Sequence, residues 1–459
     1  MGDARQLSTP ERLLSLFTKV RAGEGRCIMM LCLQSFLLMV AYYLIRPVRE
    51  ALILTEGSAE LRSYAVGVQA LLLIAIIPAY GLLVRSAPAG LVFRRVIAFF
   101  ALNLVIFFVL GQAGLQFGFV FFVWCSIFAV MAVAQFWAFA TDLFSVECGQ
   151  RVFSVIAIGV STGALIGSRL AAAGFDTFGP YGLMLASAAI LAGALGVSER
   201  ARNCVPAASR SAQAGGSQAA GRDAGRAGRW LGGFALIGRS RYLIGIAALV
   251  VLLNWITSTG DYVLSNWLVK VARESAPGAQ AAFIGRFMGN YSSAIALVGL
   301  LLQLLLVSRI ILLAGVTRAL MVTPIAFLAG FLLIGIVPVF ALLQSVLVIQ
   351  RSLDYSLLNT ARSALLLPAS REEKYQARTA IDTFFYRGGD LLSALSVFAG
   401  SRLFDDGRLQ FVWLIAVLSA TMLLVAWLIG REYSRRYGAP RASSRSGAFS
   451  DLGPRAVHV

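Results

Sequence analysis

Long uninterrupted runs of apolar residues constrain this chain more than any other feature of its sequence. A run of about 20 apolar residues, rising roughly 1.5 Å per residue in a helix, crosses a hydrocarbon core of roughly 30 Å. Backbone polar groups find no water in that core, so the crossing segments must pair them within helices. Such runs recur along the whole length, and only 14% of the residues are charged, against about 25% in a soluble domain. The sequence therefore predicts an all-α membrane protein.

The apolar runs fall into two sets of six and predict twelve transmembrane helices. The predicted spans are 27–45, 64–84, 95–111, 118–140, 152–173 and 181–197, then 242–262, 289–307, 318–336, 339–359, 380–401 and 410–430. The region between the sets, 198–241, is rich in Ala, Gly, Ser and Arg, which is typical of a flexible linker. Two six-helix halves joined in this way are typical of major-facilitator-like transporters, whose substrates bind between the halves near the membrane midplane.

The predicted organisation has five parts. A polar tail over 1–26 contains a candidate amphipathic helix, and a six-helix bundle follows over 27–197. The linker 198–241 ends in an apolar stretch, Trp230 to Ile237, that predicts a short surface helix. A second six-helix bundle over 242–430 and a basic tail over 431–459 complete the chain.

The net charge of +18 sits mainly in the two tails, the linker and alternate loops. Positive loops stay on the cytoplasmic side of a membrane, so both termini are expected to be cytoplasmic. This distribution explains the charge without nucleic acid, and the expected partners are the lipid bilayer and a small anionic substrate. No phosphate-binding loop or nucleophile elbow is present, and the one histidine, His458, lies in a tail. The sequence predicts no cofactor, no metal site and no enzymatic activity.

Charged residues within the predicted spans are candidates for function, because a charge at mid-membrane costs about 2.5–3.5 kcal/mol on insertion scales. Arg46 and Arg49 stand three residues apart at the outer end of the first span. Their guanidinium groups suit a phosphate-bearing or other anionic substrate. Pro47, between them, predicts a kink, and Glu50 offers the alternative of a simple interfacial ion pair.

Further charges complete the predicted substrate site. In the eleventh span, Arg387 and Asp390 can pair on one helix face, beside Asp382 and the close-packing pair Gly388-Gly389. Asp261 follows Gly260 where the seventh span is expected to end, which predicts an unwound segment facing a cavity. For all of these, structural pairing remains the alternative to substrate binding. Three further residues are candidates for gating: Asp142, Asp354 and Arg362.

At these same residues the chain resembles the ATP/ADP translocases of plastids and intracellular bacterial parasites. Three stretches carry the resemblance: Leu44-Ile-Arg46-Pro-Val-Arg49-Glu50-Ala-Leu-Ile-Leu-Thr55; Phe136-Trp-Ala-Phe-Ala-Thr-Asp142 with Glu147; and Tyr355-Ser-Leu-Leu-Asn-Thr-Ala-Arg362 with Leu367-Pro368, Glu372-Glu373-Lys374-Tyr375 and Ala380-Ile381-Asp382. The resemblance follows the chain in order over most of 27–430. It implies twelve spans, a central nucleotide site and exchange of nucleotides. Together with the absence of a transit peptide, it favours a bacterial inner membrane as the location. The family's Lys-Asp pair after the first span reads Arg49-Glu50 here.

The leading functional hypothesis is a secondary transporter that exchanges nucleotides or related phosphorylated anions by alternating access. In it, Arg46, Arg49 and Arg387 bind the anion, and Asp261, Asp382 and Asp390 balance the charge or gate. Two alternatives stay open at this point. The cargo could be another organic anion or metabolite, coupled to protons through the carboxylates, or the chain could be a membrane scaffold or sensor that transports nothing.

Overall fold

Helices make up nearly all of the part of the chain that the structure, a computed structural model, describes. That part covers residues 25–83, 89–143, 146–203, 229–366, 376–403 and 408–437. The expected amphipathic helix near the N-terminus, most of the linker and most of the basic C-terminal tail lie outside the described residues, as do Leu367 to Tyr375.

Six long helices form the N-terminal half. They begin with α1 (Gly25–Glu56), α2 (Ala59–Leu83), α3 (Ala89–Gln112) and α4 (Gly118–Leu143). The segment Val146–Asn203 then runs on as helix but is broken at Gly179, where φ is 63°. Such a positive φ favours glycine, because a Cβ would collide with the backbone. The break divides the segment into α5 (146–178) and α6 (180–203).

The C-terminal half follows a short helix, α7 (Arg229–Arg239), which confirms the helix predicted at the end of the linker. α8 is Arg241–Ser275, and helix from Gln280 to Ile336 is broken at Gly315 (φ 77°) into α9 (280–314) and α10 (316–336). α11 (340–365) and α12 (378–403) contain one π-turn each, Asp354–Leu358 and Ile381–Phe385. The last helix, α13, is Arg408–Tyr437.

The described helices fit a membrane protein, although not all of them are apolar enough to be recognised as spans. Eight helical segments have the length and apolarity to cross a membrane, and the segments broken at Gly179 and Gly315 each count as one of the eight. α11 and α12 are not among them; they carry the charges Arg351, Asp354, Asp382 and Arg387. The all-α membrane fold is confirmed, and the count of twelve spans stays a prediction.

The helix ends meet at two faces of the bundle. The terminal face holds the start of α1 and the end of α13; there, Arg436 donates to the Ser240 hydroxyl at the start of α8 (3.5 Å). The opposite, distal face holds the end of α1, where Glu56 accepts the backbone N–H of Gly118 at the start of α4 (2.6 Å). These faces locate the contacts between the two halves.

Two predicted features of α1 and α8 are wrong. α1 continues through Pro47 to Glu56, so Arg46 and Arg49 lie inside the helix rather than at its outer end. α8 continues through Gly260 to Ser275, so Asp261 lies in mid-helix, not in an unwound segment. In both cases apolar residues resume after the charged group and bury the continuing helix in the core. Tertiary packing thus overrides the local signal that predicted a helix end.

Small residues let helices pack closely, as is common within membranes. On α5, Gly159, Gly163 and Gly167 recur at every fourth position and lie against the backbone of α1. A Cβ on Gly163 would come within 2.6 Å of the Phe36 carbonyl oxygen. The close packing predicted for Gly388-Gly389 is found at the second glycine alone: a Cβ on Gly389 would lie 2.5 Å from the Val251 carbonyl oxygen, whereas one on Gly388 would meet nothing within 4 Å.

These neighbouring glycines provide a matched test of the packing of α8 against α12. Gly389→Ala is expected to destabilise the protein by about 1–3 kcal/mol, because the backbone of α8 cannot yield easily to the added methyl group. Gly388→Ala is expected to leave stability unchanged or raise it by up to about 1 kcal/mol through helix propensity. Thermal unfolding of the two variants in the same detergent checks the difference; equal melting temperatures would contradict this helix contact.

Candidate functional site

A cavity lies where the two halves meet, and four of its lining residues are arginines. Its lining comes from α1, α2, α8, α9 and α11: Arg46, Pro47, Arg49, Glu50, Arg62, Asp261, Leu264, Met288, Tyr291, Ser292, Ile295 and Arg351. Helices of the first half contribute three of the arginines and one carboxylate. The second half contributes the fourth arginine and the other carboxylate. The lining is therefore shared between the halves.

A continuous chain of ion pairs runs across the cavity from one half to the other. Glu50 pairs with Arg49 (3.1 Å) on its own helix and with Arg62 of α2 (2.5 Å). Asp261 of α8 pairs with Arg351 of α11 (2.6 Å) and also reaches Arg62 (3.6 Å). The Arg62–Asp261 contact joins the halves. Removing one member of a buried pair leaves its partner without compensation, which is costly.

Neighbouring groups hold the guanidinium groups of this chain in place. Arg49 donates to the Ser126 hydroxyl (3.0 Å) and lies 4.6 Å from the centre of the Phe122 ring. Arg351 donates to the Thr257 carbonyl oxygen (3.3 Å) as well as to Asp261. Cation–π and charge-assisted contacts such as these orient a guanidinium group as well as stabilise it.

Arg46 differs from the other three arginines. It stacks over the Tyr43 ring at 5.4 Å, but none of the ion pairs among the described residues includes it. With four arginines and two carboxylates, the cavity lining carries a formal net charge of +2. The excess positive charge is available to an anion.

Tyr291 adds an unused polar group to the same cavity. Its hydroxyl is buried and has no hydrogen-bond partner among the described residues. A buried polar group without a partner costs about 1–3 kcal/mol. A ligand in the cavity would supply that partner.

The cavity is too small for a substrate as it stands. Only about 30 Å³ is open to a water-sized sphere, whereas pockets for small molecules measure roughly 300–1,000 Å³. Binding a metabolite here requires the halves to move apart.

Contacts between the halves lie close together toward the distal face. Tyr262 donates to Glu60 (3.0 Å) and Arg286 pairs with Asp176 (2.8 Å). Arg169 of α5 donates to Asn290 of α9 (2.9 Å). Gly285, one turn before Gly289 on α9, would meet the Phe175 ring if it carried a Cβ, as Gly289 would meet Ala172. These contacts close the distal side of the cavity.

The described polar contacts near the terminal face join helices of the same half. Arg94 of α3 pairs with Glu199 of α6 in the first half. In the second half, Arg362 of α11 pairs with Asp382 of α12 (3.3 Å), and the Tyr242 hydroxyl donates to the Leu365 carbonyl oxygen (2.8 Å). Near the distal face, by contrast, the described polar contacts include several that join one half to the other.

The structure brings three of the six predicted substrate-site residues together in the cavity: Arg46, Arg49 and Asp261. Arg387 and Asp390 do form the expected pair on α12 (3.3 Å), and Asp390 also accepts from the Ser258 hydroxyl (2.7 Å). Neither residue lines the cavity; Asp390 contacts α8 through Ser258, and Arg387 contacts Asp390 and the Tyr386 ring of its own helix.

The remaining predicted residues lie elsewhere. Asp382 is drawn by Arg362 and Arg378 into a separate crevice of the second half near the terminal face. Asp354 lies at the start of the π-turn in α11, three residues after Arg351. The side chain of Asp142 lies outside the described residues.

Sequence reasoning missed Arg62, Arg351 and Tyr291, and treated Glu50 only as a possible partner of the arginines. Arg62 precedes the predicted second span and reads as a loop residue, yet α2 begins at Ala59 and buries it. Arg351 carried a usable signal, since it falls inside an apolar run three residues before Asp354. Tyr291 carried none, because a tyrosine within a span is ordinary.

Comparison with known proteins identifies the fold. No family model and no curated protein matches the sequence. Among solved structures, the nucleoside transporter NupG superposes with a TM-score of 0.66 at 14% identity, covering 89% of this chain and 99% of that one. The peptide transporter POT in complex with alafosfalin gives 0.61 at 14% identity over 93% and 99%. A bacterial homologue of the iron transporter ferroportin, in an inward-facing state, gives 0.55 at 16% identity over 89% and 98%.

These likenesses extend over nearly the whole of each chain. This chain therefore shares its fold with these membrane transporters, which agrees with the fold class that the sequence predicted. The descriptions of the three neighbours refer to nucleosides, peptides and iron, so the fold leaves the substrate open.

Proposed function

We propose that this chain is a secondary transporter of a small organic anion, which binds between its halves and crosses by alternating access. The observation that carries the proposal is the net charge of +2 on a cavity shared by both halves. Charge buried within a membrane protein is costly, so such residues commonly mark a binding or transport site. A substrate with about two negative charges would neutralise the lining.

The ion-pair chain gives a mechanism for coupling binding to movement. Asp261 pairs with Arg351 and also reaches Arg62 across the halves. An entering anion would pair first with Arg46 and then compete with Asp261 for these guanidinium groups. The contact between halves would weaken as the anion binds, so that the loaded protein changes conformation more readily than the empty one.

Alternating access further predicts that the terminal side opens first. Contacts between halves close the distal side, whereas the described polar contacts near the terminal face stay within a half. We propose that the terminal face lies on the cytoplasmic side of the membrane, because arginines are abundant in the tails and linker.

A nucleotide is the anion that we propose to test first. The resemblance to ATP/ADP translocases supports it, and phosphate groups suit a site with several guanidinium groups. Exchange of ATP for ADP would move one net charge per cycle. A membrane potential of 100 mV would then bias the exchange by about 2.3 kcal/mol, nearly fiftyfold.

The proposal is tested by counterflow into proteoliposomes loaded with unlabelled substrate. Labelled ATP, ADP and a panel of organic phosphates and carboxylates are presented outside, with the corresponding neutral nucleoside as control. We expect saturable counterflow of at least one anion and none of the nucleoside. Counterflow only of anions other than nucleotides would support anion transport but contradict the nucleotide as substrate. Absence of counterflow with every anion would contradict the proposed function.

Locking the distal side is expected to stop transport. In a variant lacking the native cysteines, Asp176→Cys with Arg286→Cys places two thiols across the halves, where the native side chains are 2.8 Å apart. A short bifunctional thiol reagent should reduce uptake at least tenfold, and a reductant should restore it. The matched control, Arg94→Cys with Glu199→Cys, joins helices of one half. Transport that survives efficient cross-linking of the first pair would contradict alternating access.

A further inference from the structure

A second basic site lies away from the central cavity, on the outside of the C-terminal half near the terminal face. The C-half cleft, as we call it, measures about 760 Å³ and lies between α10, α13 and the start of α8. Its lining includes four arginines and a single carboxylate: Arg241, Arg318, Arg431, Arg435 and Glu432. The formal net charge of the lining is therefore +3.

Most of this charge is unpaired. Glu432 is engaged by Arg436 (2.7 Å) and Arg435 (3.5 Å). No ion pair among the described residues involves Arg241, Arg318 or Arg431, and all three side chains are exposed. Three guanidinium groups thus face one opening outside the described ion pairs, and the one carboxylate of the lining, Glu432, is shared among several arginines.

The inner end of the cleft is apolar. Met321 and Leu428 line this end. One helical turn farther from the terminal face, each has an exposed apolar neighbour on its own helix, Ile325 (49% exposed) and Leu424 (55% exposed) respectively. Residues four apart share a helix face. The apolar lining therefore continues from the cleft along α10 and α13, away from the terminal face.

Trp427 lies at the boundary between these two environments. It is 42% exposed, it lines the cleft, and Arg431 stacks 4.7 Å from the centre of its ring. Tryptophan is enriched at the level of lipid headgroups, where its ring meets both apolar chains and polar groups. From the terminal face inward, the cleft presents arginines, then this tryptophan, then apolar side chains. The same order of polarity, from charged headgroup to apolar acyl chains, occurs along a phospholipid molecule.

We propose that the C-half cleft binds one anionic glycerophospholipid, with its phosphate among Arg241, Arg318 and Arg431 and its acyl chains along α10 and α13. Basic pockets between helices at a membrane surface recognise anionic headgroups in this way. A free phosphate would satisfy the arginines but leave the apolar path unused, so the continuous lining favours the lipid.

The N-terminal half offers a matched comparison. A cleft between α3 and α6 of that half measures about 410 Å³ and holds Arg94, Arg95 and Glu199. There Arg94 is already paired with Glu199, so the cleft has less charge available. We expect it to select anionic lipid poorly.

Native mass spectrometry of the full-length, delipidated protein tests the proposal. Phosphatidylglycerol and phosphatidylcholine with the same acyl chains are titrated separately. We expect one phosphatidylglycerol to bind at least tenfold more tightly than any phosphatidylcholine. Arg318→Gln with Arg431→Gln should weaken that binding by about 25-fold, and Arg94→Gln with Arg95→Gln by less than threefold. Equal binding of the two lipids, or equal losses in the two double variants, would overturn the proposal.

Two further measurements locate the lipid and distinguish its source. Brominated phosphatidylglycerol should quench tryptophan fluorescence in the wild type and quench markedly less in Trp427→Phe, which retains the arginines; unchanged quenching would place the lipid elsewhere. Inorganic phosphate alone should raise the melting temperature much less than phosphatidylglycerol does. An equal rise that depends on Arg318 and Arg431 would show a free-phosphate site and overturn the lipid assignment. None of these readouts depends on transport, so they can fail independently of the proposed function.

Discussion

Arg46→Ala is expected to reduce anion uptake at least tenfold, and up to about a hundredfold, while leaving the protein nearly as stable as the wild type. A hydrogen bond to a charged group contributes about 1.5–3 kcal/mol, and each 1.4 kcal/mol is tenfold in affinity. Arg46 is the cavity arginine that no described carboxylate pairs with, so its removal leaves no protein charge stranded. The loss should therefore fall on substrate binding.

Two comparisons separate this effect from a general loss of charge. Arg46→Lys retains the positive charge but lacks the planar guanidinium group, so its uptake should lie between those of Arg46→Ala and the wild type. Arg402→Ala removes an exposed arginine that stacks on Phe398 outside the cavity and should transport normally. Uptake and thermal unfolding are measured on all three variants. An Arg46→Ala protein that transports like the wild type would remove Arg46 from the substrate site.

Asp261→Ala is expected to give the largest loss of stability among the cavity variants, about 3 kcal/mol. Removing one partner of a buried ion pair costs about 3–5 kcal/mol, and the low end applies because the Asp261 side chain is 24% exposed. The variant leaves Arg351 without its carboxylate and raises the net charge of the cavity from +2 to +3. Its melting temperature should fall well below that of Arg46→Ala.

A double-mutant cycle shows whether the loss belongs to the pair. Arg351→Met removes the partner that lies 2.6 Å from Asp261 and replaces it with an apolar side chain. Combined with Asp261→Ala, it should restore most of the lost stability, since no unpaired charge remains at that position. Because Arg62 retains Glu50, the first half should be little affected. Additive losses in the double variant would show that the two residues act independently.

The sequence predicts the helical fold well because hydrophobicity and backbone pairing decide it locally. It also indicates Arg46, Arg49 and Asp261 as candidate site residues, because a charge inside an apolar run is costly whichever way its side chain points. The sequence does not predict which face of a helix points toward the cavity. Asp382 lies beside Arg362 and Arg378 in a separate crevice because packing of α12 sets its direction.

The residues that were missed show the same limit. Arg62 and Arg351 line the cavity because three helices bring them together with Asp261, and the spacing along any one helix does not indicate that arrangement. The ends of α1 and α8 were predicted too early because local charge and Pro47 or Gly260 looked like breaks, while burial of the following residues extends both helices.

The most direct measurement is a density map of the protein incubated with the anion that counterflow identifies. We expect density for that anion between α1, α8 and α11, with Arg46 turned toward it and the Arg351–Asp261 contact lengthened. Density for the anion at another place, with Arg46 still stacked on Tyr43 and the ion-pair chain intact, would contradict the central claim that this cavity is where the substrate binds.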